Sequence, residues 1–171
     1  NFAMNGLLDV LIPLKKKFNG SFLITKEVKT EIIDKPLTIR KYELEALRIQ
    51  EFFTQGVISY ADLSESQVEE LRQIRDGFLQ TANSLFFTRR GPIHLLDKGE
   101  AATLALSVLL SRETKRSVPL VIDEKTARML CENPENLRKL LEKKFHESIK
   151  VNTKQYSAFN SFKVIRSTEL I

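Results

Sequence analysis

Apolar positions along the chain recur at helical spacing in some stretches and run continuously for four or five residues in others, which divides it into helices and short strands. Leu7, Leu8, Leu11, Ile12 and Leu14 share a helical face between Phe2 and Phe18, and Lys15 to Lys17 sit where a helix C-terminus favours cations. Ser21 to Ile24 reads as a short buried strand, and Thr25 as the N-cap of a helix through Ile33 that Asp34-Lys35-Pro36 ends. Tyr42 to Phe53 predicts a helix closed by Gly56, and Val57 to Tyr60 a strand. Ser64 and Gln67 have capping-box spacing. They open a long amphipathic helix through Val68, Leu71, Ile74, Phe78, Ala82 and Leu85, weakened midway by Gly77.

Arg89-Arg90-Gly91-Pro92 breaks that pattern and makes a basic loop. Leu96 to Leu110 is the next helical motif, Val118 to Ile122 an apolar run of buried parallel-strand type, and a short helix follows to Cys131. Asn133-Pro134 is a cap and first turn for a helix through Phe145. Ile149 to Asn152 and Phe162 to Ile165 read as strands joined by a polar loop. Strands separated by helices, without repeats or low-complexity tracts, predict one α/β domain built around a parallel sheet.

Acidic residues gather where loops or strands meet helices. Asp97 and Glu100 lie in Leu96 to Ser107, Asp123 and Glu124 in Pro119 to Arg128, and Glu31 upstream in TKEVKTEI. Carboxylates at one edge of a parallel sheet suit Mg²⁺ or Mn²⁺, which take oxygen ligands, and point to metal-dependent cleavage of a phosphodiester. Each acid also has an ordinary structural role open to it. Asp97 and Glu100 have the spacing of an N-cap with a reciprocal Glu, Asp123 could cap the helix after its strand, and Glu31 could pair with Lys35 at i+4. Ala101, Ala102 and Ala105 imply close packing of their helix on the sheet.

Lys and Arg (27) exceed Asp and Glu (22), a net charge of +5. If the acids share a pocket, the remaining surface is more basic than that sum. Arg89 and Arg90 either end a helix or meet phosphate as bidentate donors, and Lys125 and Arg128 follow the second acidic pair closely enough to hold a nucleic-acid strand. Phe86, Phe87 and Tyr60 read as core residues, His94 as a loop residue and Cys131 as a buried apolar one. A lone cysteine and two histidines exclude a cysteine zinc site and a His-rich one, and fit a reducing cytoplasm. Six scattered glycines form no GxxxxGK loop, and no apolar run reaches the roughly 18 residues of a membrane span.

In the order of its acids the chain resembles the PIN-domain family of metal-dependent ribonucleases. Asn1-Phe2-Ala3-Met4 is similar to the family's step from its first strand into its first helix, Val28 to Glu31 to its Val-x-x-Glu step, and Glu100-Ala101-Ala102 to its helix-opening acid. Asp123 or Glu124, after Val121-Ile122, matches its last acid. The resemblance implies a three-layer α/β/α sandwich around a central parallel sheet, with the first strand and its Asp before residue 1 and residues 133–160 inserted before the last strand. It implies Mg²⁺ or Mn²⁺ held by Glu31, Glu100, Asp123 and Glu124, with the first three catalytic in hydrolysing RNA by metal-activated water. Arg89, Arg90, Lys125 and Arg128 would then contact RNA. The family pattern also admits a homodimer, an antitoxin-like protein partner in a toxin–antitoxin pair, and, as the alternative, an inactive PIN-like module that binds RNA or protein.

Overall fold

The structure, a computed structural model, describes residues 2–18 and 20–170. Its first part builds a small core around Leu8, Leu11, Phe52, Val57 and Ile58. Helix α1 (Leu11–Phe18) leads to β1 (Phe22–Leu23), which pairs in parallel with β2 (Ile58–Ser59) in the register Phe22 to Ile58. Between them, Thr25 caps α2 (Lys26–Lys29), its Oγ1 accepting the Val28 N–H at 3.3 Å. The helix then widens into a π turn over Thr30–Asp34, closed by the Lys35 N–H on the Thr30 carbonyl, and Pro36 opens a 3₁₀ turn to Thr38. Helix α3 (Glu43–Thr54) ends at Gly56, whose φ of +68° lies in the region glycine adopts without a steric penalty.

Helix α4 (Glu65–Ala82) has a full capping box, with the Gln67 N–H on Ser64 Oγ and the Ser64 N–H on Gln67 Oε1. It lies along α5 (Lys98–Thr114), where Ala101, Ala102, Leu104 and Ala105 are fully buried. The helix expected to pack on a sheet thus packs mainly on α4 and α2, with β5 (Leu120–Val121) touching it as well. Alanine's small side chain is what lets helices approach this closely.

After α4 the chain turns back as a hairpin, β3 (Phe86–Thr88) and β4 (Gly91–Pro92), with Arg89 and Arg90 at its tip. Phe86 is fully buried, while Phe87 is partly buried. The region expected to be a helix end and loop is therefore an antiparallel pair, and Gly91 supplies its unusual φ of +130°. Beyond α5, β5 pairs in parallel with β7 (Val164–Ile165). Helices α6 (Lys125–Glu132) and α7 (Pro134–Phe145) intervene, and β6 (Lys150–Val151) adds antiparallel to β3.

The chain is mixed α/β. Among the described residues the expected parallel sheet is present as two separate parallel pairs, β1–β2 and β5–β7, beside the antiparallel set β4–β3–β6. Strands of two or three residues end before further ladder hydrogen bonds can join them. The main core, with Leu85, Phe86, Leu96, Leu104, Leu130, Leu137 and Phe159 at its centre, draws heavily on residues 133–160. Cys131 is buried in it, and burial pushes its thiol up to about 12, leaving it inert. Ser167–Glu169 forms a 3₁₀ turn. Among the described residues no helix is long and apolar enough to cross a membrane. Asn1, where the family-like step into the first helix begins, lies outside the described residues.

Candidate functional site

The N-terminus of α5 is the centre of the acidic region, and the preceding chain is held there by Asn83. Asn83 follows the last residue of α4, and its Oδ1 accepts the N–H groups of Leu95 (2.6 Å) and Leu96 (3.0 Å). Its Nδ2 donates to the Leu96 carbonyl at 3.0 Å. One amide side chain thus clamps the chain just before the acids begin. Nothing in the apolar periodicity marks Asn83 except its place at the end of the amphipathic pattern.

Asp97 stands at the N-cap position of α5 with extended backbone, and its N–H donates to Glu100 Oε2 at 2.8 Å. The Asp97 carboxylate meets His94, Nε2 to Oδ1, at 2.8 Å. Glu31 arrives from the π turn, and its Oε1 accepts the Gly99 N–H at 3.2 Å. Its expected surface pairing with Lys35 is not formed; the side chain is partly buried against the α5 N-terminus instead. Unpaired N–H groups and the positive end of the helix dipole favour a carboxylate there.

These acids share one electrostatic neighbourhood. Glu100 is raised to about 7, first because burial penalises its charged form. The Asp97 N–H opposes this, while the charges of Glu124, Asp97 and Glu31 push it further up. Glu124 caps α6, its Oε2 accepting the Ala127 N–H at 2.6 Å, so the cap expected of Asp123 belongs to its neighbour. Asp123 Oδ1 accepts the Ser167 N–H at 2.8 Å and ties the end of β5 to the turn after β7. Glu31, Glu100 and Asp97 therefore meet at the α5 N-terminus, Glu124 acts on Glu100 only through its charge while it caps α6, and Asp123 is directed to the C-terminal turn.

Each of Glu31, Glu100 and Glu124 spends one oxygen on a backbone N–H, and among the described residues the second takes no hydrogen bond. Hard oxygen donors fit Mg²⁺ or Mn²⁺. As they stand, no three His, Cys, Asp or Glu side chains among the described residues are grouped to hold a metal ion. The donor type fits the ion; the side chains are occupied with capping.

The expected RNA contacts fall in different settings. Arg89 is 91% exposed at the hairpin tip, but its N–H donates to Glu147 Oε1 (3.2 Å) and its guanidinium lies 3.7 Å from Glu147 Oε2. Arg128 is mostly covered and faces Glu132 at 3.3 Å, with its Nε buried and unbonded. Lys125 is exposed at the start of α6. Arg90 faces a groove of about 600 Å³ that also meets His94, Thr126, Lys144, Phe145 and Glu147. Lys144 and Phe145, at the end of α7, escaped the sequence reading because they lie far from every acidic motif.

Comparisons with protein-family models, with curated proteins and with solved structures gave no match.

Proposed function

We propose that the protein is a PIN-like endoribonuclease that hydrolyses RNA with Mg²⁺ or Mn²⁺. Under this reading β1–β2 and β5–β7 are parts of one parallel sheet in a three-layer α/β/α sandwich, since the acids follow both pairs. The observation that carries it is the bond from Gly99 to Glu31, which draws an acid from far upstream to the helix turn that bears Glu100. Glu31, Glu100 and Glu124 would hold the ion through the oxygens that capping leaves over, and Asp123 would join them only on leaving the Ser167 N–H. A divalent ion so bound lowers the pKa of its water and stabilises charge on the phosphodiester oxygens. The residues' own contribution is to present carboxylates from a protected helix terminus. Exposed Arg90 and Lys125 would hold the strand's phosphates. A second copy of the chain or an antitoxin-like protein is a compatible partner.

Calorimetric titration with Mn²⁺ tests the site. Uptake should be saturable, and Glu100→Gln and Glu31→Gln should each weaken it. Uptake that neither substitution changes, or none at all, would overturn the reading.

One observation favours the alternative, an inactive PIN-like module that binds RNA or protein. The acids already cap helices, so they stabilise the fold without any ion. RNA binding that persists in EDTA, with no cleavage under any divalent ion, would establish that role.

A further inference from the structure

The groove between the β3–β4 hairpin and the end of α7 has the composition of a nucleotide site. Arg90 and Lys144 both face it, and among the described residues neither takes a carboxylate partner. The carboxylate that does line it, Glu147, is engaged by Arg89. The groove therefore holds an excess of positive charge. Ile93 and Leu141, both buried, give it apolar walls, and Phe145 leaves 41% of its surface exposed at the rim. The Lys144 ammonium sits 5.7 Å from the centroid of that ring. A volume of about 600 Å³ falls within the range of small-molecule sites.

Its position matters as much as its chemistry. His94 lines the groove and bonds Asp97, the N-cap of α5. Thr126 lines it two residues after Glu124. The groove thus adjoins Asp97 through His94 and Glu124 through Thr126. We propose that it is the subsite for one nucleotide of single-stranded RNA next to the scissile phosphate, with the base stacked on Phe145 and a phosphate held by Arg90 and Lys144. This rests on the ribonuclease reading for its substrate, but not on the metal. Every base has a π face, so the subsite selects unpaired RNA without selecting sequence. Duplex RNA cannot offer an unstacked base to the ring.

Fluorescence anisotropy with a short labelled oligouridylate, in EDTA so that no cleavage intervenes, tests it on the full chain. Phe145→Ala should weaken binding roughly 5- to 150-fold, the range for one lost base stack, and Phe145→Tyr should restore it. Lys144→Ala and Arg90→Ala should each weaken binding and flatten its salt dependence, and a matched RNA duplex should bind more weakly than the single strand. Inorganic phosphate that competes as well as uridine monophosphate would show an anion site without a base pocket, and overturn the proposal. So would equal binding by Phe145→Ala and wild type, or no binding by wild type. Loss of binding on Phe145→Ala, in a chain that cleaves nothing with Mn²⁺, would leave the subsite standing and remove the nuclease. Divalent-dependent cleavage that Phe145→Ala leaves untouched would do the reverse.

Discussion

Glu31 Oε1 accepts the backbone N–H of Gly99 at 3.2 Å, across 68 residues of sequence. The glycine is required by this contact rather than by its backbone, since a Cβ at residue 99 would lie 2.8 Å from Glu31 Cδ and 2.9 Å from Oε1. Gly99→Ala should therefore displace Glu31 from the helix terminus while the helix itself gains propensity. The lost charge-assisted bond, about 1.5–3 kcal/mol, exceeds the gain of up to about 1 kcal/mol, so the variant should be destabilised by roughly 0.5–2 kcal/mol. Thermal unfolding should shift down by a few degrees, while Mn²⁺ uptake falls as it does in Glu31→Gln. Uptake equal to wild type would show that Glu31 is only a brace.

Glu100 gives a pH dependence of defined sign. It holds its proton up to about pH 7 when folded, against an ordinary value of 4.5. Between those values the native state binds more protons than the unfolded one, so stability falls as pH rises. The contribution is complete below the unfolded value and lost as pH passes the folded one. Glu100→Gln keeps an acceptor for the Asp97 N–H without the charge. It should equal wild type near pH 5 and exceed it near pH 8 in melting temperature, and Mn²⁺ should close that gap by stabilising wild type. A difference that does not vary with pH would contradict the assignment.

Asn83 and Asp97 separate positioning from chemistry. Asn83→Ala strips partners from two N–H groups and a carbonyl and should cost roughly 2–3 kcal/mol in denaturant unfolding. Asp97→Ala should cost about 1 kcal/mol as a lost cap and leave cleavage in place. An inactive Asp97→Ala of wild-type stability would move Asp97 into the catalytic set.

The two hairpin arginines should differ. Arg90 faces the groove without an acidic partner, whereas Arg89 is held by Glu147. Arg90→Ala should flatten the log–log salt slope for single-stranded RNA by about 0.7, the value for one phosphate contact. Arg89→Ala should change it less. Equal effects would mean that the Glu147 contact yields to RNA.

Local signals were legible in the chain before its structure. The Ser64–Gln67 box, the Thr25 cap and the Asn133-Pro134 start all form, because each is settled within one helical turn. The β3–β4 hairpin was not legible: Phe86 continues the apolar face of α4, and its strand character depends on β6, more than sixty residues on. The neighbours of the acids divided the same way. That Glu100 reaches back to Asp97 follows from spacing alone, but that Glu31 reaches Gly99, and that Glu124 rather than Asp123 caps α6, depends on how separate elements meet. Phe145 and Lys144 carry no motif, and only the folding of α7 against the hairpin gives them a shared groove with Arg90.

The most direct test of the ribonuclease reading is cleavage of an end-labelled single-stranded RNA by the purified chain, with Mn²⁺ and with EDTA, beside Glu100→Gln. Products should form with Mn²⁺ from the wild type, none in EDTA and none from Glu100→Gln, although that variant unfolds at wild-type temperature or above. RNA left intact with Mn²⁺, or cut equally well in EDTA or by Glu100→Gln, would contradict that reading.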